Sequence, residues 1–172
     1  MEDLEPRIES VERLRDVTLV FLIKRVGGEV SEVCLAMKKR RFGVGRWNGS
    51  GGKLEGDETL EQGAKREVTE EIGVEIGPTR KVAELSFYFP HKPEWSQTVH
   101  VYFCEDWVGE PVESEEMMPK WFSASDLPYD SMWPSDPFWL PEVLSGKLVR
   151  AKIVFGEGDV VQSKEVNVVP EL

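Results

Sequence analysis

No stretch of this chain constrains its fold more than Gly52 to Val74, GKLEGDETLEQGAKREVTEEIGV. Thr59-Leu60-Glu61-Gln62 spells a capping box. In it the Thr oxygen accepts the Gln62 N–H and the Gln side chain reaches back to the Thr59 backbone. The spacing predicts a helix from Thr59 to Ile72, with Gly73 as its left-handed stop. At about 100° per residue, Leu60, Ala64, Val68 and Ile72 fall on one apolar stripe. Glu67 and Glu71 project at the edge of that stripe, and Glu70 lies just beyond. Gly63 in mid-helix costs roughly 1 kcal/mol against Ala, which points to close backbone packing at that turn.

Two readings of the glutamates compete. One is a solvated acidic face, with Lys65 and Arg66 in loose ion pairs contributing about 0.3–0.5 kcal/mol each. The other is a divalent-cation site. Positions i, i+3 and i+4 place three carboxylates on neighbouring helix positions, and hard oxygen ligands suit Mg²⁺ or Mn²⁺. A solvated face would point away from the apolar stripe. Ionised carboxylates at the edge of a core are costly unless a cation offsets them, so the geometry favours the cation site.

At 172 residues the chain makes one domain with room for a proper core. Its net charge of −11 argues against a nucleic-acid polymer or an anionic membrane as partner. A small-molecule polyphosphate remains open to it through bound cations and local Lys or Arg. Lys38-Lys39-Arg40-Arg41 is such a local basic island; it reads either as an exposed strand end or as a phosphate or base contact. Cys34 and Cys104 sit in apolar, strand-like runs, without a CxxC or Cys/His cluster, and are expected as buried free thiols in a reducing compartment. The run Leu19 to Ile23 is too short to span a bilayer, and the acidic N-terminus carries no signal-peptide pattern. A cytoplasmic location is therefore expected.

Strands are predicted at Val17–Lys24, Val33–Lys38, Arg80–Phe89, Gln97–Cys104 and Lys120–Ser123. Along Arg80–Phe89, Ala83, Leu85, Phe87 and Phe89 alternate with Val82, Glu84, Ser86 and Tyr88. Ser135-Asp136-Pro137 starts a second helix that ends around Gly146. Lys147–Phe155 and Gln162–Val168 make a closing hairpin. Ile8, Val11 and Leu14 at helical spacing suggest either a short docking helix or a loose extension. Strands on both sides of one long helix, with a second helix late in the chain, give an α/β fold with a mixed sheet flanked by helices.

The spacing Gly52, Glu58, Arg66-Glu67, Val68, Glu70-Glu71 and Gly73-Val74 resembles the Nudix box, G-x5-E-x7-R-E-U-x-E-E-x-G-U with U apolar, at every fixed position. The resemblance implies a Nudix α/β/α sandwich over residues 17–172, after an extension at 1–16. It also implies Mg²⁺-dependent cleavage of a nucleoside diphosphate linked to another moiety. Glu67, Glu70 and Glu71, with the Gly51 carbonyl, would hold the metal. Glu70 or Glu71 would take a proton from the attacking water, and Arg66 would pair with Glu58 to brace the loop against the helix.

Further segments, MKKRRFGVGRWNG, GEPVESEEMMPKWF and MWPSDPFW, resemble the MutT-homologue branch of that family, which hydrolyses oxidised purine nucleoside triphosphates such as 8-oxo-dGTP. Phe42, Phe87, Phe89, Trp133 and Trp139 then offer stacking surface, although ordinary core is the usual fate of such side chains. Asn48 and Asp136 offer contacts to a base edge; Asp136 is equally well placed as a helix N-cap. Lys38 would meet the phosphate tail or the base. Glu116 matches an additional acid on the metal side, or else is a solvated loop residue. The animal enzymes of the branch carry two adjacent acids after Trp-Pro, where this chain has Ser135 and Asp136, a difference that bears on base selectivity. Two rival functions are another Nudix substrate, such as ADP-ribose or a dinucleoside polyphosphate, and a non-catalytic nucleotide-binding module.

Overall fold

A computed structural model describes residues 14–172; the helical spacing at Ile8 and Val11 lies outside them. Among the described residues ten strands and two α-helices follow one another. They are β1 (Arg15–Val26), β2 (Glu29–Lys38), β3 (Trp47–Asn48), α1 (Leu60–Ile72), β4 (Glu75–Ile76), β5 (Thr79–Tyr88), β6 (Gln97–Cys104), β7 (Trp107–Val108), β8 (Met117–Ser123), α2 (Asp136–Leu144), β9 (Leu148–Phe155) and β10 (Val161–Val169). Eight strands form one mixed sheet in the order β10-β9-β5-β6-β1-β2-β3, with β8 on the other edge of β2. The β1–β6 and β5–β9 pairs are parallel; the rest are antiparallel. The closing hairpin is therefore no separate ribbon, since β9 joins it to β5.

Alternation along β1 explains the layers. Val17, Phe21 and Ile23 share a core with Trp139, Leu140 and Val143 of α2. Val20 and Leu22, facing the other way, share a second core with Ala64, Val68 and Ile72 of α1. Burying each such side chain stabilises the fold by about 1.5–3 kcal/mol, and a one-residue register slip would turn both sets to the wrong helix. The result is the expected sandwich, a mixed sheet between helices.

Helix α1 has both arms of its capping box: Gln62 N–H donates to Thr59 Oγ1 at 3.1 Å and Thr59 N–H donates to Gln62 Oε1 at 2.9 Å. Gly73 stops it at φ 74°, donating to the Thr69 carbonyl. The expected close packing at Gly63 is present: an added Cβ would lie 2.5 Å from Leu54 Cδ2. Four differences from the sequence reading have local causes. Strands β1 and β2 are longer than predicted, because charged residues at their ends still pair in the ladder, and β8 is longer because Met117-Met118-Pro119 pair with Ala36-Met37-Lys38. The two-residue strands β3, β4 and β7 carry too little pattern to read. A register shift between Lys81 and Ala83 breaks the alternation of β5, so that Val82 and Ala83 enter the same core. Asp136 is the first residue of α2 and not its cap, which is Ser135 without a side-chain capping bond. Among the described residues no helix is long and apolar enough to cross a membrane.

Candidate active site

Strand β1 has two different partners along one edge. Its later half pairs with β2 from Ile23 onward. Its earlier half pairs with the glycine loop: Ser50 and Val20 exchange N–H···O bonds of 2.9 and 2.6 Å, and Thr18 N–H donates to the Gly52 carbonyl at 2.9 Å. Gly51 makes this approach feasible, since a Cβ there would lie 1.9 Å from the Thr18 carbonyl oxygen. The loop is thereby pressed against the sheet, with α1 packed on the same side.

Glu71 faces the loop from α1. It is 5% exposed, and its Oε2 accepts the Gly51 N–H at 3.1 Å. Burial pushes its carboxyl up to about 8; Lys38 opposes the rise, and the charges of Glu67 and Glu116 add to it. Burial also raises Glu67, against the pull of Arg66. Arg66 is the hub of this corner. It grips Glu58 with two bonds of 2.8 and 2.9 Å, and reaches Glu67 at 2.9 Å, Glu70 at 3.2 Å and the Lys53 carbonyl at 3.1 Å. The Arg66 guanidinium holds the Glu58 carboxyl below the usual carboxylate range. Loop and helix are thus clamped through one side chain, the brace that the family resemblance implied.

A cleft of about 940 Å³ opens above these groups. It is lined by Lys38, Phe42, Asn48, Gly51, Glu67, Glu70, Glu71, Phe87, Phe89, Glu116, Trp133, Asp136 and Trp139, so the structure gathers nearly every residue singled out in the sequence. Arg66 stands behind the carboxylates rather than in the lining. Ser135 is fully buried and is not among the lining residues, and its Oγ finds no hydrogen-bond partner among the described residues.

The end of the cleft away from α1 is aromatic. Phe42 packs on Trp133 and Trp95 with ring centroids 5.1 and 5.2 Å apart, and Phe89 stacks on Phe155 at 4.8 Å. Trp133 and Trp139 belong to the core as well as to the wall, at 8% and 1% exposure, so the bland and the functional readings of these side chains both hold in part. Asp136 sits between them. Its Oδ2 accepts the Trp133 N–H and its Oδ1 accepts the Trp139 indole N–H, both at 3.2 Å. Burial pushes its carboxyl up to about 7, against the opposing pull of these two bonds and of Arg46. Asn48 Oδ1 accepts the Gly49 N–H at 2.9 Å.

Sequence reasoning missed Arg46. Its guanidinium lies 4.2 Å over the Trp133 ring and pairs with Asp159 at 2.8 Å, which ties the last hairpin to the aromatic wall. The only signal was its place beside Trp47 and Asn48. Trp95 and Phe155 were missed for a different reason: contacts between distant strands leave no local pattern. The basic island is largely ion-paired to the acidic segment that precedes β8: Lys39 meets Glu113 at 3.1 Å and Arg40 meets Glu116 at 2.9 Å.

The donor set suits a hard divalent cation. Glu67, Glu70, Glu71 and Glu116 all present oxygen to one cleft, and a cation there would reverse the cost that burial imposes on Glu67 and Glu71. In this conformation their oxygens turn to Arg66, to the Gly51 N–H and to the basic island. No three His, Cys, Asp or Glu among the described residues are gathered closely enough to cage an ion.

Fold, loop–helix corner and cleft together define a Nudix hydrolase. Residues 13–143 match the NUDIX domain, and the chain belongs to that family, whose members use a divalent metal. It is 41% identical to the oxidized purine nucleoside triphosphate hydrolase of Mus musculus over 90% of this chain and 94% of that protein. It is 36% identical to the protein of the same name from Danio rerio, over 91% of this chain and 96% of that one. The crystal structure of a MutT protein from Bacillus halodurans shares the fold, with a TM-score of 0.77 at 22% identity, covering 90% of this chain and 98% of that one.

Proposed function

We propose that this protein hydrolyses oxidised purine nucleoside triphosphates, such as 8-oxo-dGTP, to the monophosphate and pyrophosphate, with Mg²⁺ as the metal. The observation that carries this reading is one cleft with buried carboxylates at one end and an aromatic wall around Asp136 at the other. Likeness to the two relatives over nearly their whole length supports it. Glu67, Glu70 and Glu71, with the Gly51 carbonyl, would hold Mg²⁺, and Glu116 faces them. When bound, the metal supplies charge neutralisation at the phosphates and acidifies a water.

The side chains do the rest. The aromatic wall that Phe42, Phe87, Phe89, Trp133 and Trp139 line offers the purine apolar surface, a base–aromatic stack contributing about 1–3 kcal/mol. Asp136, with both oxygens fixed by Trp133 and Trp139, accepts from N–H groups on the base edge, and Asn48 adds a second polar contact. Glu70, which is 58% exposed and paired to Arg66, takes the proton of the attacking water. Arg66 keeps the glutamate rotamers in place. Two buried, unpaired thiols, Cys34 and Cys104, suit work in the cytoplasm.

The test is a panel of oxidised and unmodified nucleotides with Mg²⁺, the products being separated by chromatography. The expected result is monophosphate and pyrophosphate, formed fastest from an oxidised purine triphosphate. Faster turnover of ADP-ribose or a dinucleoside polyphosphate would move the protein to another substrate class. Tight nucleotide binding without turnover would make it a binding module.

A further inference from the structure

Trp133 and Asp136, both proposed to meet the base, share a support that begins outside the cleft. Trp133 donates its backbone N–H to Asp136 Oδ2 at 3.2 Å. Its ring carries the Arg46 guanidinium, 4.2 Å from the ring centroid. Arg46 Nη1 in turn donates to Asp159 Oδ2 at 2.8 Å. Three contacts thus run from the turn between β9 and β10, through Arg46 and Trp133, to the carboxyl that faces the base.

The Arg46 arm is fixed at both ends. Its backbone N–H donates to the Gly43 carbonyl and its carbonyl accepts the Lys38 N–H, both at 3.1 Å. The side chains of Arg46 and Asp159 are each 25% exposed, so solvent screens this pair less than an open surface pair. Phe42 and Phe155 also pack on Trp133, with ring centroids 5.1 and 5.8 Å away. A cation over an aromatic face is attracted by the ring quadrupole, and so fixes the tilt of the ring as well as its position.

A simple clasp between a loop and a hairpin would need less than this. Arg46 lines the cleft, whereas Asp159 does not. The charge of Arg46 is felt at Asp136, where it opposes the effect of burial; the Tyr129 hydroxyl is the other titrating group coupled to that carboxyl. Asp159 has φ +62°, in the left-handed region that Asn and Asp enter more readily than other non-glycine residues. Asparagine would serve the turn equally well, so the turn does not account for the charge.

We infer that Arg46 is a positioning residue for base recognition and that Asp159 governs it from the last hairpin. The pair keeps the Trp133 ring in the orientation that meets the base and holds a cation near Asp136. The proposal rests on the purine reading of the cleft. It adds to that reading a residue, Asp159, that tunes recognition from outside the cleft.

Asp159→Asn is the informative variant, because it removes the charge and leaves the turn its conformation. It should raise KM for 8-oxo-dGTP about threefold and change kcat less than about twofold. Arg46→Met keeps an unbranched side chain over the ring without the charge, and should raise KM about tenfold. Arg46→Lys, which keeps the charge, should recover part of that loss. Combining Asp159→Asn with Arg46→Met should raise KM no further than Arg46→Met alone, because both act through one contact. An unchanged KM in Asp159→Asn with a lowered Tm would make the pair a clasp and overturn the inference. Additive rises in the double variant would also overturn it.

A second measurement needs no nucleotide. Trp139 Nε1–H donates to Asp136 Oδ1, so its NMR resonance follows the ionisation of that carboxyl, with a midpoint expected at about 7. The midpoint should move to higher pH in Arg46→Met and stay in place in Arg46→Lys, because a nearby cation favours the ionised form. If the unaltered protein hydrolyses no purine triphosphate, the substrate reading fails, and this titration still decides the role of Arg46. An unmoved midpoint in Arg46→Met would overturn it.

Discussion

Asp136→Asn should become steadily less destabilising from pH 5 to pH 8. The Asp136 carboxyl is 4% exposed, and burial lifts it from an ordinary 3.8 to about 7. Its folded form therefore holds a proton that the unfolded chain has lost over that interval. Stability from this group is complete below the unfolded value, and declines as pH rises through about 7. A rise of about 3 units at about 1.4 kcal/mol each sets an upper bound near 4 kcal/mol. The asparagine does not titrate, so it escapes that loss. It brings a different cost. Both oxygens of Asp136 accept N–H donors, and an amide offers one acceptor and one NH₂ group that would face a donor. That mismatch costs about 1–3 kcal/mol at every pH. About 2 of the 3 units are still to be lost above pH 5, so between pH 5 and pH 8 the variant should gain up to about 3 kcal/mol on the unaltered protein. Urea denaturation of both proteins at four pH values measures the difference, in which every other titrating group cancels. A stability difference that stays constant from pH 5 to pH 8 would refute the reasoning.

Three further predictions concern the rest of the cleft. Glu71→Gln should fold and should lose about 10²–10⁴ in turnover; a folded variant with near-normal rates would remove Glu71 from the metal set. Trp133→Ala should raise KM for purine substrates more than it lowers kcat. Because the ring is also core, it should cost about 3–5 kcal/mol on melting; early melting with KM unchanged would make Trp133 core alone. Ser135→Ala should be neutral or stabilising by about 1 kcal/mol, since the buried hydroxyl has no partner among the described residues. Ser135→Asp should raise the share of 2-hydroxy-dATP in kcat/KM relative to 8-oxo-dGTP, and an unchanged ratio would mean that position 135 does not read the base.

The carboxylate helix was legible in the sequence because its signals are local. Thr59 and Gln62 cap it, Gly73 stops it, and three glutamates sit at fixed helical spacings. The first strand was legible as an apolar run, but that its two faces serve two cores shows only in the fold. What escaped is what the folded chain creates between distant segments. Arg46 finds Trp133 and Asp159 only after β3, α2 and the final hairpin converge. The bulge at Lys81–Ala83 leaves no composition signal, because Val82 is an ordinary strand residue on either face. Asp136 was readable as polar and as near a helix start. That both its oxygens would be taken by two tryptophan donors was not, since one of those donors is a backbone N–H with no identity in the sequence.

The shared edge of β1 gives the glycine loop its own spectroscopic reporters. The Thr18 and Val20 amides are bonded to loop carbonyls, not to a neighbouring strand. By strand alternation the amides of Leu19 and Phe21 point to β6. For Thr18 and Val20 to exchange with solvent deuterium, only the loop must lift; for their neighbours, the sheet must open. The protection of the Thr18 and Val20 amides, relative to free exchange, is thus the free energy that holds the loop closed, read directly from a strand in the middle of the protein.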